Sequence, residues 1–268
     1  MQKIIQLTDP HLVAPGKTLF GLDPAHRLRD ALAHISSEHP DSAAILITGD
    51  LTDTGDPEAY KLLQRMLTDV ALPVHLTLGN HDNRSAYRNV FGGYGFAQEV
   101  IDLKGWRIIL LDTNDEDSDC GALDGGRLEW LDEQLVRSVD VPVVIAMHHT
   151  PSNFHAPFFG PEDDMRDPEG FLRVIAKHKT VRHMLFGHRH LTAAGSFGGV
   201  PFTANRGTAH HIALDFQQYG RSTLVAAAPS YDVIFLGDEN VIVHSHHGLE
   251  SYQAIRPGDP KNELYAVA

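Results

Sequence analysis

Five blocks in this 268-residue chain close apolar runs with oxygen and nitrogen donors. They are Asp9-Pro10-His11 after IIQLT, Gly49-Asp50 after AILIT, Gly79-Asn80-His81-Asp82 after HLTL, His148-His149 after VVIAM, and Gly187-His188-Arg189-His190 after HMLF. Carboxylates, an amide and imidazoles without a thiolate form a mixed donor set. Such a set suits Mn, Fe, Zn or Co better than Mg, which prefers oxygen and bound water. Each block alone has a plainer reading. Asp-x-His and Gly-Asp serve as turns, Asn-His-Asp as a helix cap, and the histidine pairs as packing or as one face of a strand. Those readings do not explain why all five recur at the same structural position.

That position requires strands whose ends share a crevice, where open α/β sheets bind ligands. Lys3–Thr8, Ala43–Thr48, Val74–Leu78, Arg107–Asp112, Val143–Met147 and Val181–Phe186 read as strands, most of them buried. Asp23-Pro24, Asp56-Pro57 and Asp167-Pro168 each open a helix, with aspartate as cap and proline at the first helical position. The second places Ala59, Leu62, Leu63, Met66 and Val70 on one face, and Gly126–Val139 reads as a fourth amphipathic helix. Gln98–Leu103 and Trp106–Leu111 flank Lys104-Gly105 as a hairpin. From Thr192 to Ala268 the pattern changes to short strands with turn signals, an antiparallel extension. The expectation is therefore an α/β core over residues 1–191 and a β-rich extension over 192–268. The loop Thr150–Arg166, carrying His155, Phe158 and Phe159, is long enough to lie over a site as a lid.

Composition removes several alternatives. A formal charge of −13 argues against gripping a nucleic-acid backbone or an anionic membrane surface. The lone Cys120 excludes an internal disulfide and a cysteine-based metal cage. No apolar run approaches the ~18 residues of a membrane span. The opening MQKIIQLTDPH lacks the zones of a signal peptide, so a cytoplasmic enzyme or binding protein is expected.

In chain order the blocks D-x-H, G-D, G-N-H-D, H and G-H-x-H resemble the calcineurin-like metallophosphoesterase superfamily, over roughly residues 1–215. GKTLFGLD (Gly16–Asp23) and GTAHH (Gly207–His211) are similar to segments of its bacterial cyclic-nucleotide and glycerophosphodiester phosphodiesterases. Asp53 stands where purple acid phosphatases carry a ligating tyrosine. Thr54 and Asp82 stand where serine/threonine protein phosphatases carry arginine and glutamate. The resemblance implies a four-layer αββα sandwich with a small C-terminal β extension and two transition-metal ions. It puts Asp9, His11 and His190 on the first metal, Asn80, His148 and His188 on the second, and Asp50 between them.

His81 would then bind a phosphoryl oxygen and protonate the leaving alkoxide, with Asp53 orienting its ring and His210 facing substrate. Asp53 fits a loop residue equally well, and His210 a packing residue. His149 is expected beside the ligands rather than on a metal, and His244, His246 and His247 as surface or packing residues. The implied reaction is hydrolysis of small phosphodiesters, glycerophosphodiesters or 3′,5′-cyclic nucleotides such as cyclic AMP, by metal-activated hydroxide. The alternatives are a phosphomonoesterase of the same superfamily and a non-catalytic scaffold. No nucleic-acid or membrane partner is expected, and the β-rich tail implies a homo-oligomer, at least a dimer.

Overall fold

Residues with β-branched and leucine side chains build two sheets, and both faces of each are covered. The computed structural model describes residues 1–152, 154–160, 164–217, 220, 222–246 and 249. In chain order the elements are β1 (Gln2–Leu7), α1 (Pro24–Glu38), β2 (Ala44–Thr48), α2 (Pro57–Thr68), β3 (Val74–Thr77), α3 (Arg84–Phe91), β4 (Glu99–Leu103), β5 (Trp106–Leu111) and α4 (Gly125–Val136). They continue with β6 (Val143–Met147), α5 (Pro168–Ile175), β7 (Val181–Phe186), β8 (Ala193–Phe197), β9 (Val200–Ala204), β10 (His211–Ile212), β11 (Leu224–Val225), β12 (Tyr231–Leu236) and β13 (Val241–His246).

One sheet has the order β13-β12-β1-β2-β3 and the other β4-β5-β6-β7-β9-β8, while β10 and β11 pair separately. Because side chains alternate along a strand, Ile4, Leu46 and Ile234 of the first sheet meet Ile108, Val144 and Leu185 of the second in one apolar layer. On the first sheet's outer face, Leu28, Ile35 and Leu63 from α1 and α2 cover Ile5, Ile45 and Ile47. Leu131, Leu135 and Phe171 from α4 and α5 cover Ile109, Ile145 and Met184 on the second. The layers run helix, sheet, sheet, helix, as the family resemblance implies.

Asp23, Asp56 and Asp167 cap α1, α2 and α5 as expected, accepting from the N–H of His26, Glu58 and Gly170. The hairpin closes with Leu103 opposite Trp106. One helix escapes the sequence reading: α3, capped by the Asn83 side chain on the N–H of Ala86. The tail is only partly antiparallel. β8, β12 and β13 pair that way, but β9 runs parallel to β7, so the segment after residue 192 extends both sheets. Among the described residues, no helix is long and apolar enough to cross a membrane.

Asp232 lies on β12 two residues before Ile234, and so faces the layer between the sheets. Burial lifts its carboxyl from 3.8 to about 6, with Ser245 and the Arg206 charge offsetting only part of the effect. A raised folded-state value means that protonated Asp232 favours the native state below about pH 4. That contribution is lost as pH rises through about 6. Asp232→Asn is therefore expected to raise stability by about 1–3 kcal/mol at pH 8 and to change it little at pH 4. Urea unfolding at the two pH values reads this directly, and equal effects at both would contradict it.

Candidate metal centre

The C-terminal ends of β1, β2 and β3 in one sheet meet those of β6 and β7 in the other, and all five donor blocks converge there. Asp9, His11, Asp50, His188 and His190 hold left-handed φ values of 51°, 41°, 48°, 68° and 49°. Non-glycine residues kept in that region cost ~1–3 kcal/mol each, and such strain gathers at functional sites. Gly79 is required by close approach. A Cβ there would stand 2.2 Å from Asp50 Oδ1 and 2.6 Å from His148 Nε2.

Hydrogen bonds behind the rings decide which nitrogen faces the site. His148 Nδ1–H donates to the Thr48 carbonyl at 2.8 Å, and His190 Nδ1–H to the His210 carbonyl at 2.8 Å. His11 Nδ1–H donates to Asp53 Oδ1 at 3.2 Å. All three therefore turn Nε2 inward. His11 Nε2 and His148 Nε2 each lie 3.3 Å from Asp50 Oδ2. His190 Nε2 lies 3.2 Å from His11 Nε2 and 3.2 Å from Asp9 Oδ1, and Asn80 Oδ1 lies 3.2 Å from His148 Nε2. Carboxylate, amide and imidazole acceptors this close together call for cations between them, protons or metal ions. Asp9, His11, Asp50 and His190 form one group able to hold a metal ion, and His148, His149 and His188 another.

The electrostatics agree. Burial opposes ionisation, yet His148 and His11 hold Asp50 well below the usual carboxylate range, and His190 with His148 lowers Asp9 to about 2. Against the same burial, Asp50 and Asp9 push His148 up to about 9. Positive charge collects between the carboxylates, and metal ions would displace those protons.

His81 sits at the rim of the cluster, its side chain 42% exposed. Its Nδ1–H donates to the Asp53 carbonyl at 2.7 Å, and its backbone N–H donates to Asp50 Oδ1 at 3.0 Å. Burial lowers its affinity for a proton, but Asp50, the Asp53 carbonyl and the Asp53 carboxylate outweigh that and raise it. One expectation needs correcting here. The Asp53 carboxylate was expected to orient His81, but it lies 3.9 Å from His81 Nδ1 and engages His11 instead. A spacing of three residues after Asp50 brings the backbone oxygen, not the side chain, beneath the His81 ring.

His210 lines the cavity but is buried, with its ring stacked on His190 at 4.3 Å. His149 packs against both His148 and His188, at 4.8 and 4.7 Å, and shares a 2.8 Å hydrogen bond with Thr113 Oγ1. His244 and His246 lie elsewhere: His244 meets Phe235, and His246 stacks on Tyr231. His247 lies outside the described residues.

Two supporting residues gave no sequence signal of their role. The Asp82 carboxylate accepts from the N–H groups of Leu51, Thr52 and Gly79 and from the Tyr60 hydroxyl, bracing the turns that carry Asp50 and Asn80. Fully buried Arg189 pairs with Asp164, bonds Thr150 Oγ1 and stacks over Phe159, tying the 150–166 loop to the turn between His188 and His190. Phe158 and Phe159 of that loop complete the wall of a cavity of about 370 Å³ over the cluster.

The family model described as calcineurin-like phosphoesterase matches residues 2–192. A probable cyclic nucleotide phosphodiesterase of Rhodopseudomonas palustris is 34% identical over 252 residues, spanning 90% of this chain and 91% of the relative. A probable glycerophosphodiester phosphodiesterase of Arcobacter nitrofigilis is 26% identical over 243 residues, 88% of this chain and 89% of the relative. A dimetal phosphatase from Danio rerio superposes with a TM-score of 0.67 at 15% identity, over 91% of this chain and 95% of that one, which shows a shared fold.

Proposed function

The chain belongs to the calcineurin-like phosphoesterase family, and from that membership we propose that it is a binuclear-metal hydrolase of small phosphodiesters. Cyclic nucleotides and glycerophosphodiesters are the substrate classes carried by the names of its relatives. The observation that bears most on this reading is Asp50, whose one oxygen lies 3.3 Å from Nε2 of His11 on one side and of His148 on the other. Asp9, His11 and His190 would hold one ion, Asn80, His148 and His188 the second, and Asp50 both. Imidazoles in each set favour Mn, Fe, Zn or Co over Mg. When bound, two such ions supply Lewis-acid polarisation of phosphoryl oxygens and lower the pKa of coordinated water.

The remaining work belongs to the chain itself. The Thr48 and His210 carbonyls fix the tautomers of His148 and His190, which keeps Nε2 available as a ligand. Asn80 adds a neutral oxygen, so this position itself brings no negative charge toward the anionic substrate. His81 keeps one proton on Nδ1 against the Asp53 carbonyl. Its raised affinity provides a second proton on Nε2, which passes to the alkoxide oxygen as the P–O bond breaks. Among the described residues, no lysine or arginine lines the cavity. That suits a diester with one negative charge better than a monoester with nearly two.

Calorimetric titration of metal-free protein with Mn²⁺ is the test of the centre. Two equivalents are expected, with two bound in wild type and fewer in Asn80→Ala. Failure to take up stoichiometric metal would leave the scaffold reading in its place.

A further inference from the structure

Leu19 and Leu22 exchange two backbone hydrogen bonds, of 2.9 and 2.8 Å, around a turn made by Phe20 and Gly21. Both turn residues have left-handed φ, 52° and 79°. That is the pattern of a type I′ turn, whose positions glycine, asparagine and aspartate normally take. A bulky residue there works against its own Cβ, and Phe20 remains 65% exposed to water. Neither backbone preference nor burial accounts for a phenylalanine at this place. Strain kept at the edge of a site points to use by a ligand.

Phe20 lines the cavity over the histidine–aspartate cluster. Its ring meets His210 edge to face, with centroids 5.4 Å apart, and His210 in turn stacks on His190. Phe20 therefore stands one imidazole away from the layer of ligand rings. Ile212 and Leu224 line the same cavity. Phe158 and Phe159 pair with each other at 4.8 Å, and among the described residues His210 is the ring partner of Phe20. A single open ring offers a face to a flat group, as in base stacking. A quaternary ammonium is instead held by several rings converging on one point. In a cyclic nucleotide a single sugar separates phosphorus from such a flat group.

We propose that Phe20 is the platform on which the nucleobase of a cyclic-nucleotide substrate stacks while its phosphodiester occupies the metal centre, giving preference for cyclic nucleotides over glycerophosphodiesters. This rests on the phosphodiesterase reading above. The test compares manganese-loaded wild type, Phe20→Ala and Phe20→Tyr on 3′,5′-cyclic AMP and glycerophosphocholine. Phe20→Ala raises KM for cyclic AMP about five- to hundredfold, the scale of one base stack, with kcat changed by less than about threefold. KM for glycerophosphocholine stays the same, and Phe20→Tyr behaves as wild type on both substrates. Phe20→Gly, which relieves the backbone, melts no lower than wild type and shares the KM defect. Equal KM shifts for the two substrates, a shift for glycerophosphocholine alone, or none at all would overturn the platform. A wild type that hydrolyses no diester overturns the phosphodiesterase reading and this one with it, whereas diester hydrolysis without a Phe20 effect overturns only the platform.

Discussion

Asp50→Asn is expected to yield a folded protein that no longer holds two metal ions and turns over any diester at least about 10³-fold more slowly. Asparagine keeps the shape of the side chain and can still accept the His81 N–H that Asp50 Oδ1 receives at 3.0 Å. What it removes is the negative charge placed between His11 and His148. Both metals lose their common anionic ligand at once, so occupancy and turnover fall together. Without metal the same change leaves the buried, protonated His148 without its carboxylate partner, and the metal-free variant should melt below wild type. Added Mn²⁺ should raise the melting temperature of wild type and leave the variant unmoved, because only binding to the native state stabilises it. Metal analysis and melting curves read all of this. Two equivalents retained, with activity within tenfold of wild type, would remove Asp50 from the bridging position.

The second large effect belongs to His81→Ala, and it differs in kind. Both metals stay, since His81 touches Asp50 only through its backbone N–H, which alanine keeps. Turnover falls by ~10²–10⁴, the usual worth of general acid–base assistance. The loss is greatest for alkyl diesters, whose alkoxides need a proton to depart, and smallest for nitrophenyl diesters, which leave as stable anions. Because the surroundings raise the proton affinity of His81, wild-type activity on alkyl diesters should fall on the alkaline side as that proton is lost. The variant should lack this limb. A loss of equal size across leaving groups would show that His81 binds the phosphoryl group without donating a proton.

How far the chain can be read without coordinates depends on whether a feature is local. Val143–Met147 begins and ends where its apolar run does, because a strand covered on both faces leaves a continuous apolar segment. The Asp-Pro helix starts are legible for the same reason: cap and first turn are neighbours in sequence. The eight-residue α3 packs Ala86, Tyr87, Val90 and Phe91 against the core, but so short a stripe, set among Arg84, Arg88 and Asn89, spans too few turns to stand out as a periodic pattern. β12 joins β1 across more than two hundred residues, and no local pattern names that partner. β9 lies parallel to β7 for an equally non-local reason.

Within the site, the sequence names residues that the fold brings together but not what braces them. Asp82 closes the Gly-Asn-His-Asp block with no role legible for it, and only the fold brings it the four donors that make it a brace. For Asp53, sequence spacing names the residue but not which of its oxygens reaches His81. Phe20 sits within a segment the sequence does single out, but its left-handed turn and exposure appear only in three dimensions.

Hydrolysis by manganese-loaded protein of an aryl phosphodiester and the corresponding aryl monoester, measured side by side with and without chelator, tests the central claim most directly. The account predicts diester turnover that exceeds monoester turnover, vanishes with chelator and returns with Mn²⁺. Monoester preference, or diester turnover indifferent to the chelator, would contradict it.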